Sequence, residues 1–302
     1  MKIIFWGTPD FAVPSLKILL ENNHQILAVV TSPDKERGRG QKVTFTAVKE
    51  FAIQNNIPVL QPDKLKAEDF INNLKAFDCD VYVVVAFKIL PREIFTIPKF
   101  GSFNLHASLL PKFRGAAPIQ WTLIKGETET GVTTFALEDK VDTGNIYLQK
   151  KIQILSEDNF GTLHNKLSLL GAEVVLETVN LIENGTAQMQ KQSDELASPA
   201  PKITKENMQI NWNESAEEIH NLVRAFSPFP GAFFTHQEKL IKVYRTRIDN
   251  SMNLAAGKIL EKRDQLFVGC SKGSIEILEI QSEGRKKMTI AEFLRGHSFS
   301  IQ

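Results

Sequence analysis

Cysteine is scarce in this chain. Its 302 residues contain two, Cys79 and Cys270, too far apart for a CxxC pair, which excludes a disulfide framework and argues against a zinc site. An excess of charge is missing too. With 36 Lys+Arg against 35 Asp+Glu, any nucleic-acid binding has to come from local patches. No apolar run approaches the length of a membrane span. The opening Met1-Lys2-Ile3-Ile4-Phe5-Trp6-Gly7 runs straight into a strand-like segment with no signal-peptide layout, so the expected compartment is a reducing cytoplasm, away from any membrane. A dinucleotide fingerprint is absent as well. Gly7-Thr8-Pro9-Asp10 has one glycine where G-x-G-x-x-G is needed, and Pro9 removes an amide donor, which points to a tight strand-to-helix turn and not a nicotinamide site.

What is present reads as an ordinary globular composition, 42% hydrophobic and 24% charged, in a chain long enough for two domains. Short runs rich in Val, Ile, Phe or Thr predict strands at Lys2–Trp6, Ile26–Thr31, Val81–Ala86, Ser102–His106 and Val132–Leu137. Between and after them, apolar spacing predicts helices over Phe11–Asn22, Thr46–Asn55, Pro118–Lys125 and Phe160–Glu183. The alternation implies an α/β, Rossmann-like, mostly parallel sheet. Composition turns polar over 189–206, which reads as a linker between a domain at 1–188 and a second at 207–302. There a capping box at Ser215-Ala216-Glu217-Glu218 opens a helix to about Ala225, and a second cap at Thr289 opens a short one. Strand candidates Leu240–Ile248, Gly257–Leu260, Leu266–Cys270 and Ser274–Ile280 suggest a small OB-like β-barrel.

Usable chemistry concentrates at Asn104–Pro118 and the following Asp142-Thr143-Gly144. Asn104 and His106, spaced i, i+2 on a strand, point to one face. With a returning carboxylate they form a set able to polarise a carbonyl, manage a proton and fix an imidazole's charge. Singly, each has an ordinary reading: a hydrogen-bonded histidine, a strand-ending asparagine, a turn at Asp142. The conjunction, with Ser108-Leu109-Leu110-Pro111 and Arg114-Gly115 alongside, favours catalysis.

On these residues the chain resembles the 10-formyltetrahydrofolate-dependent formyltransferase family, in particular its members acting on methionyl-tRNA. The matching blocks are Phe5–Ala12, Gly38-Arg39-Gly40, Asn104–Pro118, Gly131-Val132-Thr133 with Asp142-Thr143-Gly144, and Arg224–Gly231. The resemblance implies transfer of a formyl group from 10-formyltetrahydrofolate to the α-amino group of methionine on initiator tRNA, without a metal. It also implies that Asn104 and protonated His106 stabilise charge on the formyl oxygen while Asp142 orients His106 and helps move the amine proton. The folate would lie beside Ser108, Leu109, Leu110 and Pro111, with Phe87, Lys88, Ile89 and Leu90 as the other wall and Leu137 near the ring edge. The chain departs from the family at Phe87–Pro91, where a run of the Tyr-Gly-x-Ile-Leu-Pro type is one residue shorter and lacks its glycine.

The stretch Ser32–Lys42 carries Lys35, Arg37, Arg39 and Lys42 among two glycines. By composition it is a solvated surface loop. Beside the predicted active edge it can equally meet phosphates or base edges, and the resemblance matches Arg39 to the arginine that enters the acceptor stem. The domain at 207–302 has only a slight basic excess, with Lys242, Arg245 and Arg247 on one strand candidate and Arg285-Lys286-Lys287 nearby. The family holds its tRNA with this domain, which makes Arg245, and Lys202 and Lys205 in the linker, further tRNA candidates. The rival acceptor is an amino-sugar nucleotide, for which no separate diphosphate motif is found, and a rival class is a non-catalytic tRNA or folate binder. No exposed apolar stripe advertises a partner, so a monomer is expected.

Overall fold

In the computed structural model, which describes residues 1–37 and 42–299, the most apolar runs become the middle of a sheet. The strands of the first half are β1 (Lys2–Gly7), β2 (Gln25–Val30), β3 (Lys35–Arg37), β4 (Lys42–Thr44), β5 (Val59–Leu60), β6 (Val81–Val85), β7 (Ser102–His106), β8 (Glu129–Ala136) and β9 (Ile146–Gln153). Seven of them form one sheet in the order β5-β2-β1-β6-β7-β8-β9, and β3 pairs with β4 as a separate hairpin. The pairs from β5 to β7 are parallel, while β8 runs antiparallel to β7. Strands buried on both faces have no polar side to show, so β1 and β6 read as continuous apolar runs and are buried almost throughout.

The helices are α1 (Val13–Glu21), α2 (Ala47–Gln54), α3 (Glu68–Ala76), α4 (Arg92–Phe95), α5 (Pro118–Ile124), α6 (Phe160–Glu183), α7 (Ala216–Ala225) and α8 (Ile290–Leu294). Thr46 caps α2 by accepting from the Lys49 amide, and Ser215 and Thr289 both form full capping boxes. Two glycines set close approaches. A Cβ on Gly7 would lie 2.8 Å from that of Ala12, so the first turn packs strand onto helix. A Cβ on Gly171 of α6 would lie 2.6 Å from Leu105, which faces away from Asn104 and His106 on β7.

The described residues fall into two units. One comprises Met1–Pro118, Glu129–Ile152 and His164–Ala200; the other comprises Ile119–Thr128, Gln153–Leu163 and the chain from Pro201. Residues 189–200, polar enough to suggest a linker, therefore belong to the first unit. The second unit contains β10 (Ala232–His236), β11 (Lys239–Asp249), β12 (Ile259–Lys262), β13 (Gln265–Gly269), β14 (Ser274–Ser282) and β15 (Met288–Thr289). They form an antiparallel sheet in the order β10-β11-β14-β13-β12, with β15 on β14. Its core is aliphatic: Val243, Leu266, Val268, Ile275, Ile277 and Ile280 are all fully buried. Among the described residues no helix is long and apolar enough to cross a membrane.

Candidate active site

Parallel register brings the ends of β1, β6 and β7 to one edge: Gly7 pairs with Val85, and Val84 and Val85 pair with Asn104 and Leu105. Ligands in open α/β sheets bind beyond such carboxyl ends. His106 is the last residue of β7 and is 5% exposed. Asn104 is half-buried, and its carboxamide has no hydrogen-bond partner among the described residues.

Two bonds fix the corner around His106. Its Nε2 lies 2.8 Å from the carbonyl of Phe113. A carbonyl only accepts, so Nε2 carries a proton and Nδ1 is turned the other way. Nδ1 lies 3.8 Å from Asp142 Oδ2, within ion-pair reach but beyond a direct hydrogen bond. That same carboxylate oxygen accepts from the Gly115 amide at 2.8 Å. The ring is thus oriented chiefly by a main-chain carbonyl, a detail that side-chain patterns do not reveal. Asp142 supplies charge from close by and is itself anchored by backbone. Gly115 and Gly144 make this possible: a Cβ on Gly115 (φ 127°) would crowd the Ala200 carbonyl, and one on Gly144 would collide with the Ala136 carbonyl.

The segment after His106 is equally tied down. Ser108 donates to the Lys112 carbonyl at 2.6 Å and is fully buried, so its hydroxyl serves the loop's own shape. Thr133 donates to the Ser108 carbonyl and accepts from the Leu110 amide, and Gln149 donates to both the Leu110 carbonyl and the Thr133 hydroxyl. Leu109 and Pro111 are half-buried and Leu110 is buried. Leu110, Phe135 and Ile146 form a small apolar cluster. Leu137 packs on that cluster and also on the one containing Leu90 and Phe87, so the two segments matched to the folate walls converge on Leu137. In the shortened loop Ala86 takes the left-handed conformation (φ 50°). Lys88 is exposed, and Ile89 is 73% exposed although its neighbour Leu90 is buried.

The basic candidates are distributed differently. Arg39 lies outside the described residues. Lys35, Arg37 and Lys42 lie on the β3–β4 hairpin. Asp34, just before the hairpin, is held from beyond it: Lys49 bonds to Asp34 at 2.5 Å and to Gln61 at 2.8 Å, while Gln61 donates to Asp34 and to the Ser32 carbonyl. In the second unit Lys202 and Lys205 are exposed, with the Lys205 ammonium 5.8 Å from the Phe233 ring. Arg245 is not a free cation. It pairs with Glu279 at 3.4 Å, and Glu279 also holds Lys287 at 2.7 Å. Arg247 is paired in the same way with Glu276.

Other chemistries find little footing. Burial pushes the Cys79 thiol up to about 12 and the Cys270 thiol up to about 11, so neither is a ready nucleophile near neutrality. Among the described residues no group of three or more His, Cys, Asp or Glu side chains is arranged to hold a metal ion. A carboxamide with a spare donor, an imidazole of fixed orientation and an anchored carboxylate can together polarise a carbonyl oxygen and handle a proton, which is chemistry that acyl or one-carbon transfer needs.

Comparison with known proteins narrows that class. A family model described as formyl transferase matches residues 1–179, and one described as formyl transferase, C-terminal domain, matches residues 202–298. The methionyl-tRNA formyltransferase of Caldanaerobacter subterraneus subsp. tengcongensis is 48% identical over 301 residues, covering 99% of this chain and 97% of that protein. That of Thermodesulfovibrio yellowstonii is 47% identical over 299 residues, covering 99% and 96%. Among solved structures, WlaRD, a sugar 3N-formyl transferase crystallised in the presence of dTDP and 5-N-formyl-THF, shares the fold with a TM-score of 0.71 at 23% identity, over 95% of this chain and 99% of its own. The chain belongs to the formyl transferase family.

Proposed function

We propose that the protein transfers a formyl group from 10-formyltetrahydrofolate to the α-amino group of methionyl initiator tRNA in the cytoplasm, acting as a monomer. The observation that carries the chemistry is the His106 corner: an imidazole held by the Phe113 carbonyl with Asp142 at 3.8 Å, on the same strand face as the Asn104 carboxamide, which is unpartnered among the described residues. The acceptor rests on the near full-length likeness to methionyl-tRNA formyltransferases. Leu137, packed on both the cluster containing Leu110 and the one containing Leu90, makes an apolar surface that suits a flat reduced pterin carrying its formyl unit.

In this reading Asn104 donates its amide N–H to the formyl oxygen as the amine nitrogen bonds to the formyl carbon. Protonated at both nitrogens, His106 keeps Nε2–H on Phe113 and offers its Nδ1 edge to the same developing charge. Asp142 balances the imidazolium and takes part in removing the amine's proton. The carbon–N10 bond then breaks, N10 takes up a proton, and the products are the formamide and tetrahydrofolate. We assign 1–188 to catalysis and 207–302 to holding tRNA, with Lys35, Arg37, Arg39, Lys42, Lys202, Lys205 and Arg245 meeting phosphates and Ser108–Pro111 and Phe87–Leu90 flanking the folate. The test is formyl transfer from 10-formyltetrahydrofolate to charged initiator tRNA, with an amino-sugar nucleotide as rival acceptor. Transfer to the sugar alone would reassign the acceptor, and transfer to neither would remove the enzyme reading.

A further inference from the structure

Gln192 lies in the stretch whose composition suggests a linker, yet it is 6% exposed and both ends of its carboxamide are engaged. Nε2 donates to the carbonyls of Asp142 at 3.0 Å and Gly144 at 2.7 Å, the two residues that bracket the carboxylate's turn. Oε1 accepts from Arg114 twice, from Nε at 3.1 Å and from Nη2 at 2.8 Å. Arg114 Nη1 in turn pairs with Asp194 at 2.8 Å. The main chain around Arg114 is tied to the same segment: its amide donates to the Ser198 carbonyl, its carbonyl accepts from the Ala200 amide, and the Phe113 amide donates to the Ser198 hydroxyl. One strap, 192–200, therefore grips both halves of the corner. On one side is the Phe113 carbonyl that orients His106, and on the other is the turn that presents Asp142.

The turn needs such a grip. Asp142 sits at φ 56°, a left-handed conformation that residues with a Cβ rarely adopt. Among the described residues its carboxylate reaches no side-chain donor at hydrogen-bond distance, only the Gly115 amide. The position of the charge beside His106 thus depends on how the turn's backbone is held. A displacement of about 1 Å at such a site can cost on the order of 10²-fold in rate.

We propose that Gln192, locked by Arg114, is a positioning residue for the formyl-transfer reaction: it fixes the Asp142 turn against His106 and acts through Asp142 without touching substrate. The proposal rests on the formyltransferase reading given above, and its test separates the two. In the full-length enzyme Gln192→Glu keeps the size of the side chain and the acceptor for Arg114 but removes both N–H donors, whereas Gln192→Leu removes every polar contact. Each variant should lower kcat by about 10- to 100-fold, as a misplaced Asp142 would, with KM for folate and tRNA within about threefold. In an Asp142→Asn background the same changes should cost less than about twofold more, because the residue they act through is already disabled. Independently of activity, hydrogen exchange of the Gly115 amide and of residues 142–145 should accelerate about tenfold in Gln192→Glu while the rest of the first unit keeps its protection. Losses that multiply fully with Asp142→Asn, or unchanged exchange at Gly115, would overturn the clamp. Should Gln192→Leu fail to fold, Gln192→Glu is judged by the same two criteria. A wild-type enzyme that transfers no formyl group would sink the functional reading alone, since the exchange measurement still decides the clamp.

Discussion

The His106 corner and the basic strand β11 both gather charge, but they hold it in opposite ways. Around His106, partners are main-chain groups or buried side chains bonded at 2.6–2.8 Å, some within the loop that follows the strand and others reaching 27 and 48 positions along the chain. On β11, Arg245 and Arg247 are two-thirds exposed and paired with the carboxylates of β14 directly across the sheet. The difference suits the two roles proposed for them. Charge that appears on one oxygen during a reaction is stabilised only by groups already in place. A polyanion is met by a field, and exposed pairs worth at most about 1 kcal/mol are readily exchanged for phosphate.

The harshest way to break this contrast is to delete the fixed groups. His106→Ala should lower turnover by roughly 10²–10⁴-fold, and Asn104→Ala by about 10²–10³-fold, with tRNA affinity little changed. Asp142→Asn leaves the Gly115 amide an oxygen to bond while discarding the charge, and belongs in the same range. Single-turnover rates with saturating donor and charged tRNA measure this. A loss of less than tenfold in all three would mean that the chemistry lies elsewhere.

A smaller effect is expected on β11, and its sign is informative. Glu279 neutralises both Arg245 and Lys287, so Glu279→Gln should free two cations. Affinity for tRNA should rise by a few fold, and the slope of log affinity against log salt should steepen by roughly 0.7–0.9 for each phosphate gained. Arg245→Ala should weaken binding modestly and flatten the slope. Equal slopes in wild type and Glu279→Gln would show that this face meets no nucleic acid.

How much of this contrast is legible in the sequence depends on the range of the contacts involved. The central strands are plain because burial on both faces leaves only apolar residues, as in Ile3–Trp6 and Val81–Val85. Helix starts at Thr46, Ser215 and Thr289 are plain because a cap is a local bond. The edge strand β9 (Ile146–Gln153) is harder to see: its exposed side carries Gln149, Lys151 and Gln153, and Lys150 between them is polar too, so it looks like loop. Helix α3 turns only a short stripe onto the core, with Leu74 buried and Phe70 and Ile71 packed beside it, which leaves little periodicity to read. The Asn104–His106 pair announces itself by alternation, and family likeness adds Asp142. Gln192 does not announce itself at all. Its bonds reach Asp142, fifty positions away, and a glutamine among serines, aspartates and prolines looks like linker. The Phe113 carbonyl is harder still, since no side-chain pattern encodes a main-chain acceptor.

The base of the β3–β4 hairpin sharpens the comparison from a third direction, because it sets fixed charge beside the basic residues proposed to meet tRNA. Lys49 and Gln61 both donate to Asp34, and these bonds, the one from Lys49 above all, hold its carboxyl below the usual 3.8. A folded-state value lower than the unfolded one means that ionised Asp34 stabilises the fold. That contribution is fully present above about pH 4 and is lost as pH falls through the lowered value. Asp34→Asn should therefore lower the melting temperature slightly at pH 7, by an amount that shrinks as the pH is taken below 3.8. If the hairpin is a tRNA element anchored by this pair, Asp34→Asn should also raise KM for tRNA while leaving kcat near normal, the reverse of the split expected for Gln192. A pH-independent difference in melting temperature would show that the carboxyl's charge is not what anchors the hairpin, and the fixed-charge side of the comparison would then belong to the catalytic corner alone.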